Sequence, residues 1–215
     1  MVSSPAVKRI PRTVTLAILA LTCAAWILTV LLGLTDQAAG GLGFIPARLS
    51  GLVRVVPAAP AFLTPLTATI VHAGAVHLAF NMLMLGWCGV AVERVLGRGG
   101  LISLYVVGAY AAAAAQWLAD PAGIMPMIGA SGAVSAVLGA FALSFGRAKH
   151  VTSSARLNRW INVAWLLVAW VVLQFMVGWL AGGQGYLLAT PAHIGGFIAG
   201  LLLQRPLLLW RYRSA

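Results

Sequence analysis

Acidic residues are nearly absent. Asp36, Glu93 and Asp120 are the three in 215 residues, against 14 Lys and Arg. Charge of either sign is scarce as well, at 8% of the chain, where a soluble domain carries about 25%. That scarcity excludes a solvated globular domain. It also excludes a nucleic-acid-binding module, despite a formal net charge of +11, because a phosphate-binding patch needs a solvated basic face. Cysteine is limited to Cys23 and Cys88, with no Cys-x-x-Cys. This excludes a disulfide framework and a thiolate metal centre, and leaves both thiols as small packing groups.

What is present is apolar. The chain is 61% hydrophobic, with a mean hydropathy of +0.97. The fold class that follows is an all-α, polytopic membrane protein. Crossing roughly 30 Å of hydrocarbon takes about 20 helical residues. Six stretches qualify: 14–34, 76–96, 101–119, 127–145, 160–181 and 192–209. The first is longer than a signal-peptide core and has no clear small-residue cleavage site, so it reads as a retained span. The expected organisation is a tail at 1–13, one six-helix transmembrane domain at 14–209, and a tail at 210–215.

The basic residues give the orientation. Lys8, Arg9 and Arg12 precede the first span, and Arg94 and Arg98 lie at the second turn. Arg147, Lys149, Arg156 and Arg159 follow the fourth span, and Arg205, Arg211 and Arg213 close the chain. All of these share one side if six spans alternate, and only Arg48 and Arg54 fall on the other. Cytoplasmic loops are the ones enriched in Lys and Arg, so both termini are expected in the cytoplasm. The compact plan and the Ala, Gly, Val and Arg richness fit a bacterial inner membrane.

The first external loop, 33–75, is too apolar for a solvated linker. Pro46, Pro57, Pro60 and Pro65 break it too often for it to span. It either lies in the outer interface or packs as a plain loop. The last external loop, 182–186, is glycine-rich and reads as a mobile cap or a tight turn.

Polar groups within spans are costly, so each needs a reason. His77 and Asn81 begin the second span, four residues apart on one helix face. Ser131, within Gly129-Ala130-Ser131-Gly132, begins the fourth, and His193 begins the sixth. Even-numbered spans run in the same direction, so these four groups share one layer near the outer face. Ser131, Ser135 and Gly139 form a small-residue stripe on the fourth span, matched by Gly196 and Gly200 on the sixth. If the stripes face each other, Ser131 meets His193. A serine beside an imidazole is a minimal activated nucleophile. None of the three acids falls in that layer, so the pattern is a dyad. His77, Asn81 and the free N–H of Ser131 at a helix start are candidate oxyanion donors.

Plainer readings exist for the same residues. His77 and Asn81 also suit an interhelical hydrogen-bond pair, His193 a helix bridge, and the glycines simple packing. Glu93-Arg94 reads as a helix-end ion pair, His72 as a loop residue, and Trp160, Trp165, Trp170 and Trp179 as interfacial or lipid-facing anchors. The inner half has little polar beyond Gln174.

The motifs His72-x4-His77-x3-Asn81-Met82, Gly129-Ala130-Ser131-Gly132 and Ala192-His193-Ile194-Gly195-Gly196-x3-Gly200 together resemble the rhomboid family of intramembrane serine proteases. Glu93-Arg94 followed by Leu96-Gly97 is also similar to that family's segment closing the second span. The resemblance implies Ser131 as nucleophile and His193 as general base. It implies an oxyanion hole of His77, Asn81 and the Ser131 N–H, with Gly129, Gly132, Ser135, Gly196 and Gly200 in support. It implies cleavage of transmembrane proteins, single-span or other, near their outer end, with the fifth span and last external loop as gate. No cofactor, metal or nucleic acid is expected, and the lipid bilayer is the constant partner. Two positions depart from the family pattern. Leu63-Thr64 stand where Trp-Arg is common, and Ser135 stands where an aromatic often packs on the catalytic histidine. A non-proteolytic binder of membrane helices, or a weakly active enzyme, is the alternative. A transporter built on the intramembrane histidines would need polar residues at several depths.

Overall fold

The computed structural model of the chain describes residues 13–146, 151–180 and 189–213. Within these, secondary structure is helical apart from one isolated antiparallel bridge between Phe44 and Met127. The helix α1 (Thr13–Leu31) is followed by the short α2 (Thr35–Leu42), α3 (Pro46–Leu49) and α4 (Thr64–Thr67). Next, α5 (Ala75–Met84) continues through a π-helical turn, Leu85–Gly89, into α6 (Val90–Ala119). The last three are α7 (Ser131–Phe145), α8 (Ala155–Leu180) and α9 (Thr190–Arg211).

Among the described residues, four helical runs are long and apolar enough to cross a membrane: Val14–Leu31, Ala75–Ala119, Ala155–Met176 and Thr190–Arg211. The second is 45 residues, or about 68 Å of helix, which is twice a bilayer core. Gly97 breaks it. Its φ of 77° and ψ of 176° are non-helical and favour glycine. The break divides the run into 75–96 and 98–119, each near the length of one crossing. A side chain at Gly97 would also meet the Arg211 guanidinium, at 2.8 Å from Nη1.

The helix expected over 127–145 begins instead at Ser131. Met127 is held extended by paired backbone bonds, its N–H to the Phe44 carbonyl at 2.8 Å and the Phe44 N–H to its own carbonyl at 2.9 Å. Gly129 then takes a φ of 106°, outside any right-handed helix. With 15 residues, α7 is about 22 Å long and shorter than the hydrocarbon core.

This short helix is the centre of the molecule. Ser131 through Ala140 are all buried, as a helix apolar on every face requires. It packs against α6 and α9, and the core it forms includes Leu85, Val92, Leu101, Leu104, Trp170 and Phe197. By contrast α1 is peripheral and exposes Leu16, Leu21, Ile27 and Leu28. In lipid, apolar side chains gain little by touching one another, so close backbone packing has to hold the helices. The α7–α9 contact supplies it. A Cβ at Gly196 would overlap the Gly132 carbonyl oxygen, one at Gly200 the Ala136 carbonyl, and one at Gly139 the Phe197 carbonyl. The facing stripe therefore includes Gly132 and Ala136 as well as Ser135 and Gly139.

Glu93 does not act as a helix-end partner of Arg94. Its side chain is 2% exposed and caps α1. The carboxylate accepts the N–H groups of Val14 and Thr15 at 3.2 and 3.0 Å and the Thr15 hydroxyl at 2.6 Å. The first N–H groups of a helix lack internal partners and carry its positive dipole end, so a carboxylate belongs there. The Glu93 carbonyl in turn accepts Arg211 Nη1–H at 3.3 Å.

The first loop is part buried and part exposed. Phe44, Ile45 and Ala47 are buried against the bundle, while Leu49, Leu52, Val56 and Phe62 are exposed. Segment 182–186, with Lys8, Arg9, Arg12, Arg147 and Lys149, lies outside the described residues. The Glu93 cap generates a prediction. Glu93→Ala leaves two α1 N–H groups and a hydroxyl without their acceptor and should destabilise the fold by about 1–3 kcal/mol. Thermal unfolding in detergent reads this as a lowered midpoint.

Candidate active site

The polar residues singled out from the sequence are placed by three helices, His77 and Asn81 by α5, Ser131 by α7 and His193 by α9, and burial decides what each can do. Ser131 is the first residue of α7 and is buried; His193 lies in the first turn of α9 and is 5% exposed. Ser131 Oγ and His193 Nε2 are 2.9 Å apart. The serine hydroxyl has one proton, so it donates when Nε2 carries the lone pair, and the ring proton then sits on Nδ1. His193 Nδ1 is buried without a hydrogen-bond partner among the described residues. Asp36 lies on α2, Glu93 caps α1 and Asp120 ends α6, so no carboxylate orients the imidazole.

The chain enters α7 over a built platform. The Gly129 N–H donates to the Ala68 carbonyl at 2.9 Å. The Ala130 N–H donates to His72 Nε2 at 3.4 Å. His72 lies in the segment before α5 and is buried; burial, then the neighbouring His77, push its imidazole down to about 3. A neutral ring is what an acceptor nitrogen requires. His77 lies over Gly129, where an added Cβ would come within 2.7 Å of its ring. The His72 and His77 rings are 5.0 Å apart. Ser131 begins the helix, so its N–H has no intrahelical acceptor and sits at the positive dipole end.

Asn81, one turn beyond His77, is fully buried. Its Nδ2 donates to the His77 carbonyl at 2.9 Å, while Oδ1 has no partner among the described residues. Among those residues Asn81 makes no hydrogen bond to Ser131 or His193, and one Nδ2 proton is uncommitted.

Residues 60–210 match the family model described as the Rhomboid domain. The chain belongs to the rhomboid family. It is a multi-pass membrane protein. It is 30% identical over 135 residues to "Rhomboid protease GluP" of Bacillus subtilis, covering 63% of this chain and 24% of that protein. It is 32% identical over 136 residues to "Rhomboid protease GlpG" of Serratia proteamaculans, covering 61% and 43%. It is 35% identical over 133 residues to "Rhomboid protein 1, mitochondrial" of Saccharomyces cerevisiae, covering 59% and 36%. The aligned part thus spans less than half the length of each of these relatives.

The two departures of this rhomboid have distinct structural settings. At the first, Leu63 is exposed and Thr64 is buried, its hydroxyl closing a local turn onto the Ala61 carbonyl at 2.6 Å. At the second, the Ser135 hydroxyl donates back to the Ser131 carbonyl at 2.7 Å.

Sequence reasoning missed two residues of α8. Trp170, read as an anchor or lipid contact, is 1% exposed. Its Nε1–H donates to Ser135 Oγ at 2.7 Å, and its ring centroid lies 6.4 Å from that of His193 in an edge-on arrangement. Gln174, read as an inner-half residue, has Nε2 3.4 Å from His193 Nε2. Trp170 and Gln174 are four apart, on one face of α8. That spacing is the signal that pairs them. Gln174 lies toward the end of α8, and His193 lies in the first turn of α9, so the two ends meet.

Gly129 sets up a sharp test of the platform. Gly129→Ala places a side chain in a left-handed conformation and against the His77 ring. The expected cost is about 1–3 kcal/mol of stability, and the thermal midpoint in detergent should fall accordingly. A Gly74→Ala substitution, where an added Cβ meets nothing within 4 Å, provides the control and should leave it unmoved.

Proposed function

We propose that this rhomboid is an intramembrane serine endopeptidase, with Ser131 as nucleophile and His193 as general base. The observation that carries the reading is the 2.9 Å separation of Ser131 Oγ and His193 Nε2 in a buried layer. The imidazole takes the hydroxyl proton as Oγ attacks a peptide carbonyl, then returns it to the departing amine. Water completes the cycle by hydrolysing the acyl-enzyme. The oxyanion is held by the Ser131 N–H, by the uncommitted Asn81 Nδ2 proton and by the His77 ring N–H. The position of Ser131 at the start of α7 and of His77 over Gly129 supports that assignment. Gly129, Gly132, Ser135, Gly196 and Gly200 keep the serine and the histidine in reach of each other.

In this reading the chain crosses the membrane six times as one domain over 14–209, with both termini cytoplasmic. Its helical runs, the break at Gly97 and the basic residues of the turns support that plan. Ser131 and His193 then lie toward the outer face of a bacterial inner membrane. Substrates are transmembrane proteins cut near their outer end, where a helix unwinds to offer its backbone. The name "rhomboid protease" carried by two relatives supports this activity.

The test uses the full chain in detergent and in proteoliposomes. A fluorophosphonate probe should label the wild type and not Ser131→Ala. A co-reconstituted single-span reporter should be cut by the wild type, with His193→Ala slower by roughly three or more powers of ten. Equal labelling of wild type and Ser131→Ala would remove the nucleophile assignment. Binding of the reporter without cleavage would favour the helix-binder reading.

A further inference from the structure

A serine–histidine pair without an acid has an unsolved mechanical problem. In a triad the carboxylate on Nδ1 holds the imidazole in the reacting orientation. Here His193 Nδ1 has no partner among the described residues, so the ring is oriented by its Nε2 contacts with Ser131 and Gln174 and by packing. The position that often supplies an aromatic for this purpose is Ser135, which has no surface to offer.

Trp170 occupies that space from another helix. Its ring meets His193 edge-on, at 6.4 Å and 73°. The indole also stacks on Phe80 of α5, at 5.6 Å and 17°. Its Nε1–H donates to Ser135 Oγ, and the Ser135 hydroxyl donates to the Ser131 carbonyl, both at 2.7 Å. The direction of this chain is forced. An indole nitrogen only donates and a carbonyl only accepts, so the hydroxyl between them must accept from one and donate to the other. One buried side chain therefore touches the base directly and reaches the nucleophile's backbone through a single hydroxyl.

We propose that Trp170 is the positioning residue of the Ser131–His193 pair, acting on His193 by contact and on Ser131 through Ser135. The proposal rests on the proteolytic reading above. It makes Ser135 a relay that an aromatic at position 135 would displace. It also makes the reactivity of the dyad depend on the placement of α8, a helix that contributes no reacting group.

The experiment compares Trp170→Phe, Ser135→Ala, the double variant and Trp170→Ala in the full chain. Two rates are read: fluorophosphonate labelling of Ser131, and cleavage of a single-span reporter. Trp170→Phe keeps an aromatic ring, though a smaller one, and deletes the donor; Ser135→Ala deletes the acceptor. Each should slow labelling and kcat by about tenfold with KM within about twofold, as expected for one buried hydrogen bond. The double variant should be no slower than the slower single variant, because both remove the same bond. Trp170→Ala also loses the His193 contact and should be about tenfold slower still.

Unchanged rates in Trp170→Phe and Ser135→Ala would overturn the positioning role, as would fully additive losses or a loss confined to KM. A wild type that never labels would overturn the Ser131–His193 reading and this inference with it. A labelled wild type beside indifferent variants overturns the inference alone. Ser135→Ala, the smallest change, keeps the outcome decisive if Trp170→Ala fails to fold.

Discussion

Contact between the backbones of α7 and α9 is the constraint on which the other features depend. Gly132 faces Gly196, Ala136 faces Gly200, and Gly139 faces Phe197, each at a spacing that admits no added Cβ. Helices in a bilayer gain little from burying apolar surface against each other, so this approach supplies packing that side chains alone would not. The Ser131–His193 separation of 2.9 Å is a by-product of that packing. One methyl group at Gly196 would push the helices apart by a distance comparable with the tolerance of proton transfer, where a misplacement of about 1 Å costs roughly a hundredfold.

Both ends of the bundle are tied so that this contact keeps its register. At the Ser131 end, the turn into α7 is held by Ala68, His72 and the Phe44–Met127 bridge. At the opposite end a single residue joins three helices. The Glu93 carboxylate takes the start of α1, and its carbonyl takes Arg211 from the end of α9. The chain has three acids, and one of them is spent on tethering a helix whose own side chains mostly face outward. A carboxylate is well suited to this work, since its two oxygens meet several donors at once while the helix dipole offsets the cost of burying the charge.

Hydropathy and the small-residue stripe made much of this legible beforehand. Long apolar runs can only be helices in lipid, because each helix satisfies its own backbone. Parity then places the starts of alternate runs together, which is why the sequence alone pairs Ser131 with His193. What escaped was non-local or conformational. The cap on α1 comes from 78 residues away, beyond any periodicity argument. The late start of α7 depends on the φ of Gly129, and apolar composition does not encode it. Trp170 sits in a helix with four tryptophans and few polar residues, so hydropathy has no stripe to mark its buried side. Gln174 stands late in α8, and only the contact between that end of α8 and the start of α9 brings it to His193.

The shortness of α7 has a further consequence. A helix of 15 residues covers about 22 Å of a core roughly 30 Å thick. If its far end is level with the other helices, its first residue stops some 8 Å beneath the surface. The helix then works as a depth gauge. On the proposed mechanism, the bond that is cut would be selected by how deeply it lies in the bilayer as much as by the side chains around it. Two membrane proteins with unrelated sequences but equally weak helices at that depth would look alike to Ser131.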